Sequence, residues 1–385
     1  MSRSLNVAMI GYKFMGKAHS QAWREAPLFF DVPVKPVMKV ICGRHEGPLR
    51  EFADRWGWQE TATDWKQVVA RKDIDIVDIS TPTNTHFEIA LAALKAGKHI
   101  FCEKPFVLTA AEAKKLAAVA DKAGVTHYLN HNYRRCPAVA HAKAMIDAGR
   151  LGTIFHWRGC YLQDWIIDPD FPLTWHLQKE IAGAGPHYDL NSHSVDLARY
   201  LVGEIESVQA MTSTFVKERP VAADTDQVAF SAKSKAAKKG KVTVDDAAFM
   251  VVQFENGALG SFEASRFAGG RKNFNYFEIY GSKGSLTWNL ERMNELQFYN
   301  REDPGADAGF KTILCTESAH PYIAGWWPPG HMIGYEHEFV HAVVDFLKSV
   351  DSGGGIQPNF HDGLQCMRVL EAGLKSAATG RRIKV

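Results

Sequence analysis

Val7-Ala8-Met9-Ile10-Gly11-Tyr12-Lys13-Phe14-Met15-Gly16 reads as a short buried strand, a glycine turn and the opening of a helix that continues through Ala18, Ala22 and Trp23. Strand, turn and helix in that order give a G-x-G-x-x-G match its physical meaning. Gly11 permits the tight turn, and Gly16 lets the helix pack close to the strand. Phe14 and Met15 fall in the first turn, where backbone N–H groups and the positive end of the helix dipole suit a pyrophosphate. Lys13 stands where the middle glycine of the fingerprint is expected. A lysine fits there if its side chain turns outward, toward solvent or a phosphate. The alternative is a tight strand–helix turn with no ligand.

The segments after this turn support the dinucleotide reading. A second strand over 37–42 ends in Gly43-Arg44, roughly where a ribose-reading residue is expected. An Asp or Glu there would hold a ribose 2′-OH. Arg44 instead suits a 2′-phosphate, so the sequence leans toward NADP over NAD, the alternative being a solvated loop arginine. Helices over 47–56 and 65–70, a strand over 74–79, a helix over 87–96, a strand over 99–102, a helix over 110–123 and a strand over 125–130 complete the alternation. Such alternation means a parallel sheet with helices on both faces, and ligands bind beyond the carboxyl ends of its strands. Those ends carry Gly11–Gly16, Arg44, the run from Thr81 and Pro82 through Thr85 to His86, and Glu103-Lys104-Pro105.

At 385 residues the chain exceeds one small core, which suggests two domains. A net charge of +2 gives no electrostatic footprint for nucleic acid or an anionic membrane. No apolar run of membrane length and no signal core at the N-terminus appear, so a cytoplasmic protein is expected. The six cysteines are scattered with no C-x-x-C pair, which reads as reduced thiols and not a disulfide framework or zinc cage.

Beyond 130 the pattern changes to long strands, over 154–162, 208–215, 228–231, 247–254, 259–266, 274–280, 285–288 and 296–299. Glu255-Asn256-Gly257-Ala258 marks a hairpin, because Asn-Gly accepts the positive φ angles a tight turn requires. The expected fold is α/β: a Rossmann domain over 1–130, then an α+β domain over 131–385 built on a large, mostly antiparallel open sheet. A closing helix over 362–379 is expected to pack back on the first domain. A broad sheet face needs covering, which favours a homodimer or homotetramer.

The lysine-rich insert 231–241 reads as a solvated hairpin tip, with no interleaved aromatics to suggest nucleic acid. His337-Glu338-Phe339-Val340-His341 spells the zinc-protease H-E-x-x-H, but Phe339, Val340, Val343, Phe346 and Leu347 give an ordinary packing stripe, and no metal is expected. Trp165, Trp175, Trp326 and Trp327 lie in irregular segments, where they either line a carbohydrate site, anchor loops or form a subunit contact.

Gly185-Pro186-His187-Tyr188-Asp189-Leu190-Asn191-Ser192-His193-Ser194-Val195-Asp196 opens a helix after a Gly/Pro break. Asp189 and His193, four apart, stack on one helical face, and a carboxylate beside an imidazole suits proton transfer near neutral pH. Asp196 reads as structural.

Gly11…Met15-Gly16…His19, Thr81-Pro82…His86, Glu103-Lys104-Pro105 and Asp189…His193…Asp196, in this order and at these separations, resemble the glucose–fructose oxidoreductase, inositol dehydrogenase and rhizopine-catabolism family of NAD(P)-dependent oxidoreductases. The C-terminal Asp362-Gly363-Leu364 and Ser376-Ala377-Ala378-Thr379-Gly380-Arg381-Arg382 agree. The resemblance implies hydride transfer between nicotinamide and a secondary hydroxyl of a sugar, polyol or glycoside. Lys104 would donate to the substrate oxygen, His193 act as general base and Asp189 orient it or hold a neighbouring hydroxyl. Glu103 would contact the coenzyme ribose. Gly11, Phe14, Met15, Gly16, Arg44, Thr81, Pro82, Thr85, His86 and Lys104 would hold the coenzyme. Tyr133, Arg134, Trp165 and Trp175 would join the substrate site, a salt bridge being the alternative for Arg134. Two further functions stay open: glycoside cleavage through transient sugar oxidation, and sugar or cofactor binding without catalysis.

Overall fold

The computed structural model describes residues 3–221 and 238–385. In chain order its elements are β1 (Arg3–Ile10), α1 (Phe14–Phe29), β2 (Val34–Cys42), α2 (Glu46–Trp56), β3 (Glu60–Ala62), α3 (Trp65–Ala70), β4 (Ile76–Ile79), α4 (His86–Lys95), β5 (His99–Glu103), α5 (Ala110–Ala123) and β6 (His127–Asn130). Next in the chain are α6 (Pro137–Asp147), β7 (Ile154–Leu162), α7 (Lys179–Ala182), α8 (Pro186–Asp189), α9 (Asn191–Leu201), β8 (Ile205–Ser213), β9 (Glu218–Pro220) and β10 (Lys239–Lys241). Last come β11 (Ala247–Phe254), β12 (Leu259–Ser265), β13 (Phe274–Gly281), β14 (Gly284–Asn289), β15 (Glu295–Asn300), β16 (Lys311–Leu314), α10 (Tyr335–Ser352), α11 (Phe360–Thr379) and β17 (Ile383–Lys384).

Two compact units emerge. The first comprises 1–135, 324–327 and 333–365, and the second 136–323, 328–332 and 366–385. The first unit therefore extends past residue 130 and also takes in α10. The reason is apolar: Phe339, Val340, Val343, Phe346 and Leu347 line one face of α10, and they pack with Ala22, Trp23 and Ala26 of α1. The Trp23 and Phe346 rings meet edge to face at 6.1 Å.

The first unit's sheet has the order β3-β2-β1-β4-β5-β6, every pairing parallel. Strand order reverses between β1 and β4, which is where such sheets open a crevice for a ligand. The turn after β1 is built for close approach. Gly11 has φ +109°, and a Cβ there would lie 2.5 Å from the Ser80 carbonyl oxygen at the end of β4. Gly16 comes almost as near, 3.0 Å from the Gly11 carbonyl oxygen. Lys13, the departure from the fingerprint, has φ −80°, a value any residue adopts, and it is exposed at its side chain's position in the turn.

In the second unit nine strands form one sheet, ordered β16-β15-β14-β13-β7-β12-β11-β8-β17. Among the described residues of this sheet, the β7–β12 pairing alone is parallel. The Asn256-Gly257 turn joins β11 to β12, with Gly257 at φ +88°. Alternation along the strands buries one face through Trp157, Met250, Phe262, Phe277 and Trp288, and leaves Met211, Phe249 and Val251 exposed on the other. The lysine-rich insert lies outside the described residues over 231–237, as does the strand expected over 228–231; β10 pairs with β9. Among the described residues no helix is long and apolar enough to cross a membrane.

Gly11→Ala combines a disfavoured φ with a backbone clash and should cost about 2 kcal/mol or more of stability. Gly47→Ala, in α2 with open space around its Cβ position, should leave stability unchanged or slightly raised. Chemical denaturation of the two variants checks the contrast.

Candidate active site

The candidate coenzyme residues belong to the first unit. The cradle fits a dinucleotide: two side-chain-free positions flank the turn, and no side-chain hydrogen bond caps the N-terminus of α1. Thr81 and Thr85 follow β4, with the Thr85 hydroxyl donating to Thr81 Oγ1 at 2.7 Å. His86 is buried. Its Nδ1 faces the carbonyl oxygens of Pro105 at 3.0 Å and Phe106 at 3.1 Å, and its Nε2 faces that of Thr81 at 2.8 Å. His86 therefore ties the β4 loop to the segment after Lys104, and burial pulls its pKa down. Arg44 is exposed beyond β2. A Cβ at Gly43 beside it would lie 2.3 Å from the Tyr12 ring, so a side chain there would displace that ring.

The carboxylate of Glu103, expected on the coenzyme ribose, is turned inward. The residue is 3% exposed. Its Oε1 accepts from Asn130 Nδ2 at 2.6 Å and meets His19 Nε2 at 2.9 Å, while Oε2 accepts the Lys104 backbone N–H at 3.1 Å. On the other side of the imidazole, His19 Nδ1 lies 2.8 Å from Asp78 Oδ1, and Trp23 Nε1 donates to Asp78 Oδ2 at 2.6 Å. Two buried carboxylates thus share one imidazole. Burial alone would lower the His19 pKa, but the Asp78 charge and the hydrogen bonds to Asp78 and Glu103 outweigh it and raise it to about 10. Burial likewise works against the Glu103 carboxylate; His19, Lys104 and Asn130 reverse this and hold its pKa below the usual value.

The candidate substrate residues Asp189 and His193 belong to the second unit. Gly185 approaches Asp245 so closely that a Cβ would lie 1.9 Å from its carbonyl oxygen. The Asp245 carboxylate then accepts from the backbone N–H groups of Gly185 at 2.7 Å and His187 at 2.9 Å. This clamp places α8, which ends at Asp189; α9 begins two residues later and carries His193. Sequence reasoning missed Asp245, and it also missed Arg266. The Arg266 guanidinium, buried at the end of β12, donates to Asp189 Oδ2 at 2.6 Å and lies 5.1 Å from the centre of the Trp165 ring. Asp189 keeps 29% of its side chain exposed.

A wall continues from there. Trp165 Nε1 donates to Gln163 Oε1, and Gln163 and Tyr161 both donate to Asn273 Oδ1. The Tyr161 ring lies 5.7 Å from that of His193. Trp175 stacks on His176 at 3.7 Å between centres, and His176 meets Trp165 edge to face. Arginine and asparagine partners at separations of 77 and 112 residues carry no local signal, which is why the sequence hid them. Asp196, read as structural, is buried in α9.

Other candidates are buried or paired in the first unit. Arg134 is buried and pairs with Asp362 at 3.2 Å, the salt-bridge alternative; Tyr133 beside it is also buried. In the H-E-x-x-H segment, His341 Nε2 accepts from Trp326 Nε1 at 2.6 Å, and its Nδ1 donates to the Arg135 carbonyl oxygen. Burial drives its pKa down to about 3. Glu338 accepts from Asn132, and the His337 ring packs on Trp326. Trp326 also meets Phe29 and Phe30, so it anchors its loop.

Family comparison agrees with this geometry. The model described as an oxidoreductase family with NAD-binding Rossmann fold matches residues 5–131, and the GFO/IDH/MocA C-terminal domain matches 139–287. The chain belongs to this family, and it is an NAD(P)-dependent oxidoreductase of the sugar and polyol dehydrogenase class. Levoglucosan dehydrogenase of Pseudarthrobacter phenanthrenivorans is 44% identical over 379 residues, covering 98% of this chain and 97% of the relative. Myo-inositol 2-dehydrogenase of Thermotoga maritima is 26% identical over 353 residues, covering 91% of each. A solved levoglucosan dehydrogenase in complex with NADH and levoglucosan superposes with a TM-score of 0.94 at 43% identity, covering 100% of this chain and 99% of that one. These relatives do not favour the glycoside-cleaving or non-catalytic alternatives.

His19 generates a pH prediction. Its folded pKa, about 10, lies above the ordinary 6.5 of the unfolded chain. The stabilisation is therefore complete below pH ~6.5 and is lost as pH rises toward ~10, since the unfolded chain releases the proton first. Thermal unfolding should show Tm falling across that window, and His19→Gln should flatten the slope.

Proposed function

We propose that the protein oxidises a secondary ring hydroxyl of an anhydrosugar or a similarly compact cyclic sugar, with NAD as the coenzyme. The observation that carries this is the cluster around Asp189: an ion-paired, reachable carboxylate beside Arg266, set within a wall of Trp165, Trp175 and His176. A carboxylate accepts from ring hydroxyls, and the flat C–H face of a rigid sugar lies on aromatic rings. The 44% identity to levoglucosan dehydrogenase across nearly the full length supports the substrate class.

The bound coenzyme supplies the hydride acceptor at nicotinamide C4. The protein's own residues then manage the proton. Lys104 donates to the substrate oxygen and stabilises developing alkoxide, and His193 takes the hydroxyl proton. Asp189, with Arg266 on one oxygen, holds a neighbouring hydroxyl. These assignments rest on matching position within the family and on the local settings of the three residues.

NADH in the levoglucosan dehydrogenase complexes supports NAD; Arg44 and the lack of an acidic residue directly after β2 support NADP. We take NAD, because Tyr12 fills the space at Gly43 and accounts for the missing carboxylate without a 2′-phosphate. A homo-oligomer formed through the exposed face bearing Met211, Phe249 and Val251 is part of the proposal. So is a cytoplasmic location, supported by six cysteines free of disulfides.

A panel of anhydrosugars, aldoses and inositols assayed with NAD and NADP tests the reading; levoglucosan with NAD should give the highest kcat/KM, and an inositol preference would replace it. Lys104→Met and His193→Ala should each lower kcat by about two orders of magnitude. Val251→Glu should shift the species seen by light scattering toward the monomer.

A further inference from the structure

We propose that His19 is a positioning residue for Lys104: it locks the Glu103 carboxylate, and Glu103 in turn fixes the Lys104 backbone. This rests on the role proposed for Lys104. Both His19 ring nitrogens face carboxylate oxygens, Nδ1 toward Asp78 at 2.8 and 3.0 Å and Nε2 toward Glu103 at 2.9 Å. A neutral imidazole carries one N–H and would set a lone pair against one of them, so the ring bridges as the cation. The raised pKa agrees.

Every oxygen of the two carboxylates has a donor. Trp23 and His19 serve Asp78; His19, Asn130 and the Lys104 N–H serve Glu103. His19 sits on α1, Asp78 on β4 and Glu103 at the end of β5, so the imidazolium links three elements behind the strand ends. The connection reaches the catalytic segment at the Lys104 amide nitrogen. One and two residues on, the Pro105 and Phe106 carbonyl oxygens face His86 Nδ1. The Lys104 backbone is thus held on both sides, which sets the direction in which its side chain departs. Displacement of a catalytic group by about 1 Å costs rate steeply.

Without the imidazolium, two buried carboxylates lose their shared cation, and one must take a proton or move. Glu103 then holds Lys104 less firmly. The donors to these carboxylate oxygens named above, His19, Trp23, Asn130 and the Lys104 N–H, lie outside the Gly11–Gly16 cradle, so binding should change less than turnover.

The test compares wild type, His19→Gln, Glu103→Gln and the double variant His19→Gln/Asp78→Asn. The double variant removes one carboxylate along with the cation, and so restores the charge balance if His19→Gln folds poorly. Expected for His19→Gln and Glu103→Gln are a loss of at least tenfold in kcat with NADH affinity by fluorescence within about twofold, and at least tenfold faster hydrogen exchange at the Lys104 amide than in wild type. The double variant also lacks the His19 hold on Glu103 and should show both losses, even where His19→Gln folds poorly. Wild-type exchange at Lys104 in both His19→Gln and the double variant, or folded His19→Gln with unchanged kcat, overturns the proposal. The exchange readout needs no turnover, so a wild type that oxidises no sugar sinks the proposed function and leaves this inference decided by exchange alone.

Discussion

Two carboxylates buried behind a parallel sheet need a cation, and His19 is placed between them. Burying a lone carboxylate is costly enough that the group would neutralise itself by binding a proton. Asp78 and Glu103 instead bracket an imidazolium, with Trp23 and Asn130 filling further acceptor sites. The result cross-links α1, β4 and β5, the elements whose ends carry the glycine turn, the threonine loop and Lys104. Packing alone would leave those ends free to shift. A charged, directional network fixes them because each hydrogen bond has one good geometry.

The second unit meets the same need by a different device. Gly185 has no side chain, so the backbone of α8 can approach Asp245, which takes two of its N–H groups. The carboxylate stands in for the anion that a helix N-terminus attracts. Asp189, at the far end of that short helix, is then aimed by Arg266. Helical spacing pointed to the imidazole four residues on as its partner. A hold also comes from Arg266, 77 residues on, because a buried guanidinium needs a carboxylate.

Most of the fold was legible because its signals are local. The strand–glycine–helix opening, the parallel alternation to 130 and the Asn256-Gly257 hairpin each depend on neighbours within a few residues. The site was legible only in part. Lys104, Asp189 and His193 stood out through spacing and resemblance, but the partners of the Glu103 carboxylate did not. A glutamate before Lys-Pro looks the same whether it faces solvent or a histidine 84 residues away. Arg266, Asp245 and Asn273 were invisible for the same reason, since tertiary pairing across such separations leaves no pattern in one sequence. The helix α10 was legible in part. Its apolar stripe was read correctly, and only its partner, α1, could not be.

The H-E-x-x-H segment shows how the same residues become inert. A metal ligand must offer a lone pair, and His341 has placed its Nε2 lone pair on the Trp326 indole N–H while Nδ1 donates to a carbonyl. Glu338 holds Asn132. A motif is therefore decided by what its atoms already do. Applied to Glu103, that criterion identifies a structural hub joining His19, Asn130 and the Lys104 backbone. Applied to Asp189, it leaves one oxygen on Arg266 and nearly a third of the side chain open to solvent. A carboxylate that is anchored and still reachable can accept a hydroxyl without moving, which is the condition for holding a rigid sugar in one orientation.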